Sequence, residues 1–165
     1  MKYFAFAALG IIIFGGVLLF GRSVEPVTTS EISSGEKLGQ EQASPVVIIH
    51  GVELEIEVVR TAEEKAQGLS GRESLAENAG MLFVFEEPVL PAFWMEDMKF
   101  PIDIIWIASD DSIVDITENI SAETFPQTFQ PREPVQYVLE VNASWAKSHN
   151  VSIGSKAEIG ISSQL

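Results

Sequence analysis

Several short stretches of the chain alternate between apolar and polar residues, which is the pattern of β-strands buried on one face. The clearest is residues 52–59 (VELEIEVV), where aliphatic side chains alternate with three glutamates. One face of this strand is predicted to lie on the core and the other in solvent. Apolar or alternating runs likewise predict strands over 46–49, 81–85, 92–95, 102–108, 113–117, 135–141 and 157–161. The folded part is therefore expected to be mainly β.

Two short helices are predicted between these strands. Thr61 and Glu64 have the spacing of a capping box, which predicts a helix over 62–68 that ends at glycine. Asn142 is placed to cap a second helix over 143–149. Together with the strands, these helices predict a β-sandwich or a partly closed barrel with one or two short helices.

Residues 118–134 are predicted to form a long loop, because prolines interrupt the apolar pattern there. A loop of this length within a compact domain often has a function. Its two phenylalanines, Phe125 and Phe129, either hold the loop against the core or line a pocket.

The first 22 residues predict a transmembrane helix ahead of the β domain. No residue from Tyr3 to Phe20 is charged, and as a helix this run covers roughly 27 Å, close to the thickness of a bilayer core. The run lacks the small residues of a typical cleavage site at its end, so an anchor is favoured over a cleaved signal peptide. The flanking Lys2 and Arg22 favour an amino terminus in the cytoplasm, with the domain outside.

The next segment is predicted to be a flexible stalk. Residues 23–44 are rich in Ser, Thr, Glu, Gln and Gly, and they have too few large apolar groups to offset the entropy of ordering. The globular domain is then expected to occupy residues 45–165. The predicted location is therefore the outer side of the cytoplasmic membrane, to which the domain is anchored. The alternative is a domain that is secreted after cleavage of a signal peptide.

Composition excludes several classes of function. The net charge is −14 and the pI is about 4.4, which argues against nucleic acid, because such binding depends on Lys and Arg at phosphates. The chain has no cysteine, so a thiolate nucleophile and a Cys-ligated zinc site are excluded. HExxH, P-loop and GxGxxG motifs are also missing. We therefore predict no catalytic residue, metal or cofactor from motifs.

The candidate chemistry lies between Gly80 and Ile107, where bulky apolar residues and carboxylates occur together. Trp94 and Met95 directly precede Glu96 and Asp97. This combination suits a sugar or a small apolar ligand, because aromatic faces stack and carboxylates accept hydroxyl protons. The alternative is that Trp94 and Met95 belong to the core.

Asp103 is the one ionisable residue in the apolar strand that follows Pro101, so its burial would require hydrogen-bond donors. Arg72 is the favoured donor, because a guanidinium can hold a carboxylate with two parallel bonds. Arg132 and backbone N–H groups are the alternatives. The predicted binding residues are Arg72, Trp94, Met95, Glu96, Asp97, Asp103 and Glu140.

Short motifs follow one another along the predicted domain: GMLF at 80–83, FWM at 93–95, PID at 101–103 and YVLEVNA at 137–143. In this order they resemble the DUF192 family of small, often exported bacterial and archaeal domains of unknown function. The resemblance covers about residues 46–161 and implies a compact, mainly β sandwich or barrel. It implies no catalytic mechanism. Many members have Lys-Asn-Thr after FWM where this chain has Glu96-Asp97-Met98, which argues against an anionic ligand.

These observations predict a membrane-tethered extracytoplasmic domain that binds a small ligand or an envelope partner. The alternative is a carboxylate-based, glycosidase-like hydrolase in the cell envelope, which needs two carboxyl groups roughly 5–10 Å apart. Glu96, Asp97, Asp103 and Glu140 are the carboxylates available for that role. A binding protein would present an exposed aromatic residue in a pocket.

Overall fold

The structure, a computed structural model, describes residues 44–161. The predicted anchor at 1–22, and the predicted stalk at 23–44 except for its last residue, lie outside the described residues. Within the described range, no helix is long and apolar enough to cross a membrane.

The described residues form strands with two short α-helices, α1 (Ala62–Gln67) and α2 (Trp145–Ser148). A 3-10 turn lies at Ala122–Thr124. The mainly β class with two short helices is therefore confirmed. The strands are β1 (Val46–Ile49), β2 (Val52–Val59), β3 (Ala79–Val89), β4 (Phe93–Trp94), β5 (Ile102–Ile107), β6 (Ile113–Ile120), β7 (Thr128–Phe129), β8 (Val135–Asn142) and β9 (Ala157–Gly160).

Seven strands form one sheet in the order β6-β5-β8-β3-β2-β1-β9, which curls into a half-barrel. Neighbouring strands are antiparallel except for β2 and β3, which are parallel. A parallel pair needs a crossover connection, and residues 60–78, which include α1, provide it. β4 and β7 pair separately as a two-stranded ribbon.

The sheet is buried on both faces, and alternate residues of its central strands face two hydrophobic clusters. The first cluster includes Trp145 of α2, and the second includes Leu69 of the crossover with Phe93 and Phe129 of the ribbon. Two-sided burial explains why β5 is a continuous apolar run and not an alternating one, with all six residues buried.

The two edges of the sheet meet at one end of the half-barrel. The backbone N–H of Ile113, at the start of β6, donates to the carbonyl of Ser155 at 2.9 Å. In return, Gly154 N–H donates to the Ile113 carbonyl at 2.8 Å, and Ala157 N–H donates to the Asp111 carbonyl at 2.9 Å. Edge strands β6 and β9 are therefore joined there by backbone hydrogen bonds.

The largest differences from the predicted boundaries are in β3 and in the loop after residue 117. β3 runs on to Val89 although it contains Pro88, because the β3–β8 register shifts between Val84 and Val89 and the proline lies in that interruption. The predicted loop 118–134 is partly ordered into strands, since β6 continues to Ile120 and β7 pairs with β4.

The predicted pair between Asp103 and Arg72 is wrong. Asp103 is fully buried on β5 and accepts three backbone N–H bonds. Asn119 and Ser144 donate to Oδ1 at 2.8 and 3.0 Å, and Ala146 donates to Oδ2 at 3.0 Å. Arg72 instead donates to both carboxylate oxygens of Glu57, at 2.9 and 2.8 Å, on the surface.

Asp103 takes the capping role that was predicted for Asn142. The N-cap residue of α2 is Ser144, which has a left-handed φ of 67° and makes no side-chain cap bond. Asn142 donates elsewhere, to the carbonyls of Leu75 and Ala76. The carboxylate of Asp103 therefore satisfies the first N–H groups of α2 and connects β5, β6 and the start of this helix.

We predict that Asp103→Ala lowers the free energy of unfolding by about 3–5 kcal/mol, because three backbone donors lose a charged acceptor. Arg72→Ala should cost no more than about 1 kcal/mol, since its partner is an exposed surface carboxylate. Urea unfolding of both variants tests this contrast. Equal, sub-kilocalorie effects would contradict the structural role of Asp103.

Candidate functional site

A pocket of about 210 Å³ lies between the crossover and the segment around β4. Residues 65–70 of the crossover line one side, and residues 91–94 with Met98 line the other. The sheet contributes Phe83 and Phe85 from β3 and Glu140 from β8. The pocket therefore lies where the irregular cover of the second cluster leaves a gap above the sheet.

Local sequence explains the crossover side. The capping box starts α1, with Thr61 Oγ1 accepting from the Glu64 backbone N–H and Glu64 Oε2 accepting from the Thr61 N–H. Gly68 ends this helix with a φ of 49°, a conformation that favours glycine, and a Cβ there would lie 3.4 Å from the Phe83 ring. The chain can therefore reverse direction in close contact with the sheet.

Two hydrogen bonds hold the sides of the pocket together. The Ser70 hydroxyl donates to the Glu96 carbonyl at 2.8 Å. The Gly71 N–H donates to the Asp97 carbonyl at 2.9 Å. Because these bonds tie the crossover to the turn after β4, the width of the pocket is set by the backbone.

The aromatic wall is held in place from behind. The Phe93 ring packs edge to face against Phe83, with centroids 4.8 Å apart, and against Trp106, with centroids 5.4 Å apart. Trp106 is fixed in turn by donating from Nε1 to Thr117 Oγ1 at 2.9 Å. Trp94, the next residue of β4, lines the same pocket and is 44% exposed.

Glu140 is the unusual group in the pocket. It lies on β8 opposite Met81 of β3 and Ile104 of β5, and it is 6% exposed. Its Oε2 is buried and has no hydrogen-bond partner among the described residues. Burial between apolar neighbours raises the pKa of Glu140 to about 8, so the carboxyl is mostly protonated at neutral pH.

Lys65 is the one cation among the lining residues. Its Nζ lies 4.2 Å from the centroid of the Phe85 ring, in a cation–π contact. Burial lowers the pKa of Lys65, and the nearby carboxylate of Glu86 opposes that change. The ammonium of Lys65 and the carboxyl of Glu140 therefore line the same small pocket.

Of the predicted binding residues, the pocket brings Trp94 and Glu140 together. Met95, the residue after β4, is buried in the second cluster, because the alternation of β4 continues through it and turns its side chain towards the core. Glu96 and Asp97 are exposed on the following turn, and Asp97 pairs with Lys99 at 2.7 Å. Arg72 and Asp103 make the surface and structural contacts described above, away from the lining.

Sequence reasoning missed Lys65, Phe85, Phe93 and Met98 as lining residues. Phe85 and Phe93 belong to an apolar stretch that was noted for its bulk, but nothing in the local pattern distinguishes a pocket wall from the core. Lys65 occupies an ordinary surface position of a short helix. Its place in the pocket depends on the parallel pairing of β2 with β3, which the local pattern does not reveal.

A second depression of about 340 Å³ is less suited to a ligand, although it is larger. It is lined by the charged side chains of Glu57, Glu63, Glu64 and Arg72, and its Arg72 is already paired with Glu57. Within residues 44–161, no group of three or more His, Cys, Asp or Glu side chains is arranged to hold a metal ion.

The fold and pocket define a small, mainly β domain with an aromatic pocket over one face of its sheet. The profile of the DUF192 family, described as an uncharacterized ACR, matches residues 46–159. The chain belongs to the DUF192 family, as its motifs predicted. No curated protein matches the chain.

The solved structures similar to this chain include two that share at least 30% sequence identity with it. One is a candidate transcription regulator from Sinorhizobium meliloti 1021, with 35% identity and a TM-score of 0.65, covering 71% of this chain and 93% of that protein. The other is a protein of unknown function from Novosphingobium aromaticivorans DSM 12444, with 30% identity and a TM-score of 0.63. It covers 69% of this chain and 83% of that protein.

We predict that Glu140 makes the domain less stable as pH rises. Between its ordinary pKa of 4.5 and its folded value of about 8, the folded state keeps a proton that the unfolded chain has released. The free energy of unfolding therefore falls with pH in this window, by at most about 1.4 kcal/mol per pH unit from this group. Glu140→Gln should remove that slope.

Urea unfolding of the wild type and Glu140→Gln at several pH values between 5 and 8 measures the difference. Other titrating groups are common to both proteins and cancel in the comparison. Parallel curves for the two proteins would show that Glu140 is not desolvated in the folded state.

Proposed function

We propose that the domain binds a small ligand in the pocket between the crossover and β4, and that this ligand hydrogen-bonds to Glu140. The observation that carries the proposal is the buried Oε2 of Glu140, which has no partner among the described residues. Leaving a buried polar group unpaired costs about 1–3 kcal/mol, so a protein without use for it would be more stable with an apolar residue there.

The size and walls of the pocket support a small ligand. At about 210 Å³, it exceeds the roughly 150 Å³ of a cavity that accepts benzene, so one ring with a short substituent fits. Phe93 is fixed by its packing on Phe83 and Trp106, so this wall does not have to be ordered when the ligand binds.

Binding is a better proposal than glycoside hydrolysis. The raised pKa of Glu140 would suit a general acid. A glycosidase, however, needs a second carboxyl group facing the same substrate, and Glu140 is the one carboxyl among the residues that line this pocket. Glu96 and Asp97 are on the exposed turn, and Asp103 is committed to backbone donors.

The role described for one of the related proteins is not proposed for this chain. The Sinorhizobium relative is described as a candidate transcription regulator. We do not extend that role to this protein, because a net charge of −14 opposes binding to nucleic-acid phosphates.

We also propose that the domain is tethered to the outer side of the cytoplasmic membrane by residues 1–22. Support comes from the uncharged run of Tyr3 to Phe20, which has the length of a transmembrane helix. The polar residues 23–44 would then separate the domain from the lipid surface.

The full-length protein should fractionate with membranes and keep its amino terminus, and deletion of residues 1–22 should leave a soluble protein in the cytoplasm. Fractionation with mass determination of the intact chain tests both points. A charged residue at the centre of the run costs about 2.5–3.5 kcal/mol of insertion, so Ile12→Arg is a second test. A soluble, shortened protein outside the cell would indicate a cleaved signal instead.

Screening of small ring compounds against the full-length protein should yield ligands that raise its melting temperature. Trp94→Ala should weaken such a ligand about tenfold, because it removes one aromatic face of the pocket. Ile153→Ala is the control, since Ile153 is also an exposed apolar residue (57%) but is absent from the lining. Equal weakening by both variants, or by neither, would contradict binding at this pocket.

A further inference from the structure

The lining of the pocket restricts the charge of its ligand. Glu140 offers carboxyl oxygens that no donor in the described residues satisfies at Oε2. An ammonium ligand supplies both N–H donors and a countercharge, and charge-assisted hydrogen bonds are roughly twice as strong as neutral ones. A neutral ligand would meet the protonated carboxyl, which offers one O–H donor and a carbonyl acceptor but no countercharge.

The aromatic wall is suited to a cation as well. Ammonium groups are attracted to the faces of Trp, Tyr and Phe rings, and Trp94, Phe93 and Phe85 line this pocket. The protein already places one ammonium on that wall, since Lys65 Nζ lies 4.2 Å from the centroid of the Phe85 ring. The other rings of this wall can therefore attract the ammonium of a ligand while it pairs with Glu140.

The electrostatic field of the chain acts in the same direction. The net charge of −14 attracts cations and repels anions. Close to the pocket, the exposed Glu96 lies two residues after Trp94, and the exposed Glu86 follows Phe85. These carboxylates lie beside the residues that line the pocket, so an approaching cation meets a favourable potential.

We propose that the ligand is a small organic cation, namely an ammonium on a single ring with a short linker, whose charge pairs with Glu140 while its ring packs on Trp94 and Phe93. This inference rests on the proposed binding function and specifies the class of its ligand. Lys65 is the competing charge in the pocket, and it limits the affinity for such a cation.

Pairing with a cation requires Glu140 to lose its proton. With a pKa of about 8, roughly one carboxyl in ten is ionised at pH 7, so the loss of affinity is at most about tenfold. Across the sheet Glu140 faces the apolar Met81 and Ile104, and among the lining residues Lys65 is the other titratable group. Binding of a cation should therefore release a proton into the buffer.

Three matched probes test the class of ligand: benzylammonium, benzyl alcohol and benzoate, which share a ring and differ in charge. Titration calorimetry of the full-length protein at pH 7 should show benzylammonium binding with a Kd on the order of 0.1–1 mM. Benzyl alcohol should bind at least about tenfold more weakly, and benzoate should not bind. Repeating the benzylammonium titration in buffers of different ionisation enthalpy should show release of about 0.9 proton per ligand.

Two variants locate the effect. Glu140→Gln keeps the size of the side chain but removes its charge, so benzylammonium should lose at least about tenfold in affinity, while benzyl alcohol changes by less than about threefold. Lys65→Met removes the competing charge, so it should strengthen benzylammonium binding a few-fold. If Glu140 has a purely structural role, Glu140→Gln should weaken the binding of both probes equally. The number of protons released when benzylammonium binds should then be the same in the variant as in the wild type.

The outcomes separate this inference from the proposed function. If benzyl alcohol binds as tightly as benzylammonium, and Trp94→Ala weakens both, the inference of a cationic ligand is wrong. The proposed pocket would then bind neutral ligands. If benzoate binds most tightly, the inference is also wrong, and the ligand of the pocket is an anion that pairs with Lys65. If none of the three probes binds in the millimolar range, both the ligand class and the proposed function fail.

Discussion

The need to cover both faces of one sheet governs the structure of this domain. β3, β5 and β8 carry apolar side chains on both sides, so neither face can be left in water. One face packs against α2, but the other has no regular layer and is covered by the crossover with α1 and by the β4–β7 ribbon. The crossover and the ribbon do not cover this face completely, and the gap between the crossover and β4 is the pocket.

Two buried carboxyl groups on adjacent strands differ in their hydrogen-bond partners. Asp103 on β5 accepts three backbone N–H bonds, so its charge contributes to holding α2 and the end of β6 in place. Glu140 on β8 faces the apolar Met81 and Ile104 and has an oxygen without a donor. The fold alone accounts for the first group, whereas the second is the group on which the proposed ligand binding rests.

Sequence patterns predicted the parts of this structure that depend on neighbours in the chain. Alternation over residues 52–59 predicted β2, and the Thr61–Glu64 spacing predicted the start of α1. The predicted donor to Asp103 was wrong because Arg72 lies within the crossover and beside Glu57 of β2, a placement that follows from the parallel pairing of β2 with β3. The lining of the pocket was not predicted for the same reason, since its walls come from segments that meet only through tertiary packing.

The closing of the sheet edges has a consequence for self-association. An open edge strand presents unpaired N–H and C=O groups, on which a second chain can add a strand. Here Ile113 of β6 donates to the turn before β9 at Ser155, and Ala157 of β9 donates to the turn before β6 at Asp111. The native half-barrel therefore offers a shortened template for intermolecular pairing. The conformation most prone to aggregate is the one in which β9 has detached and exposed β1 and β6 together.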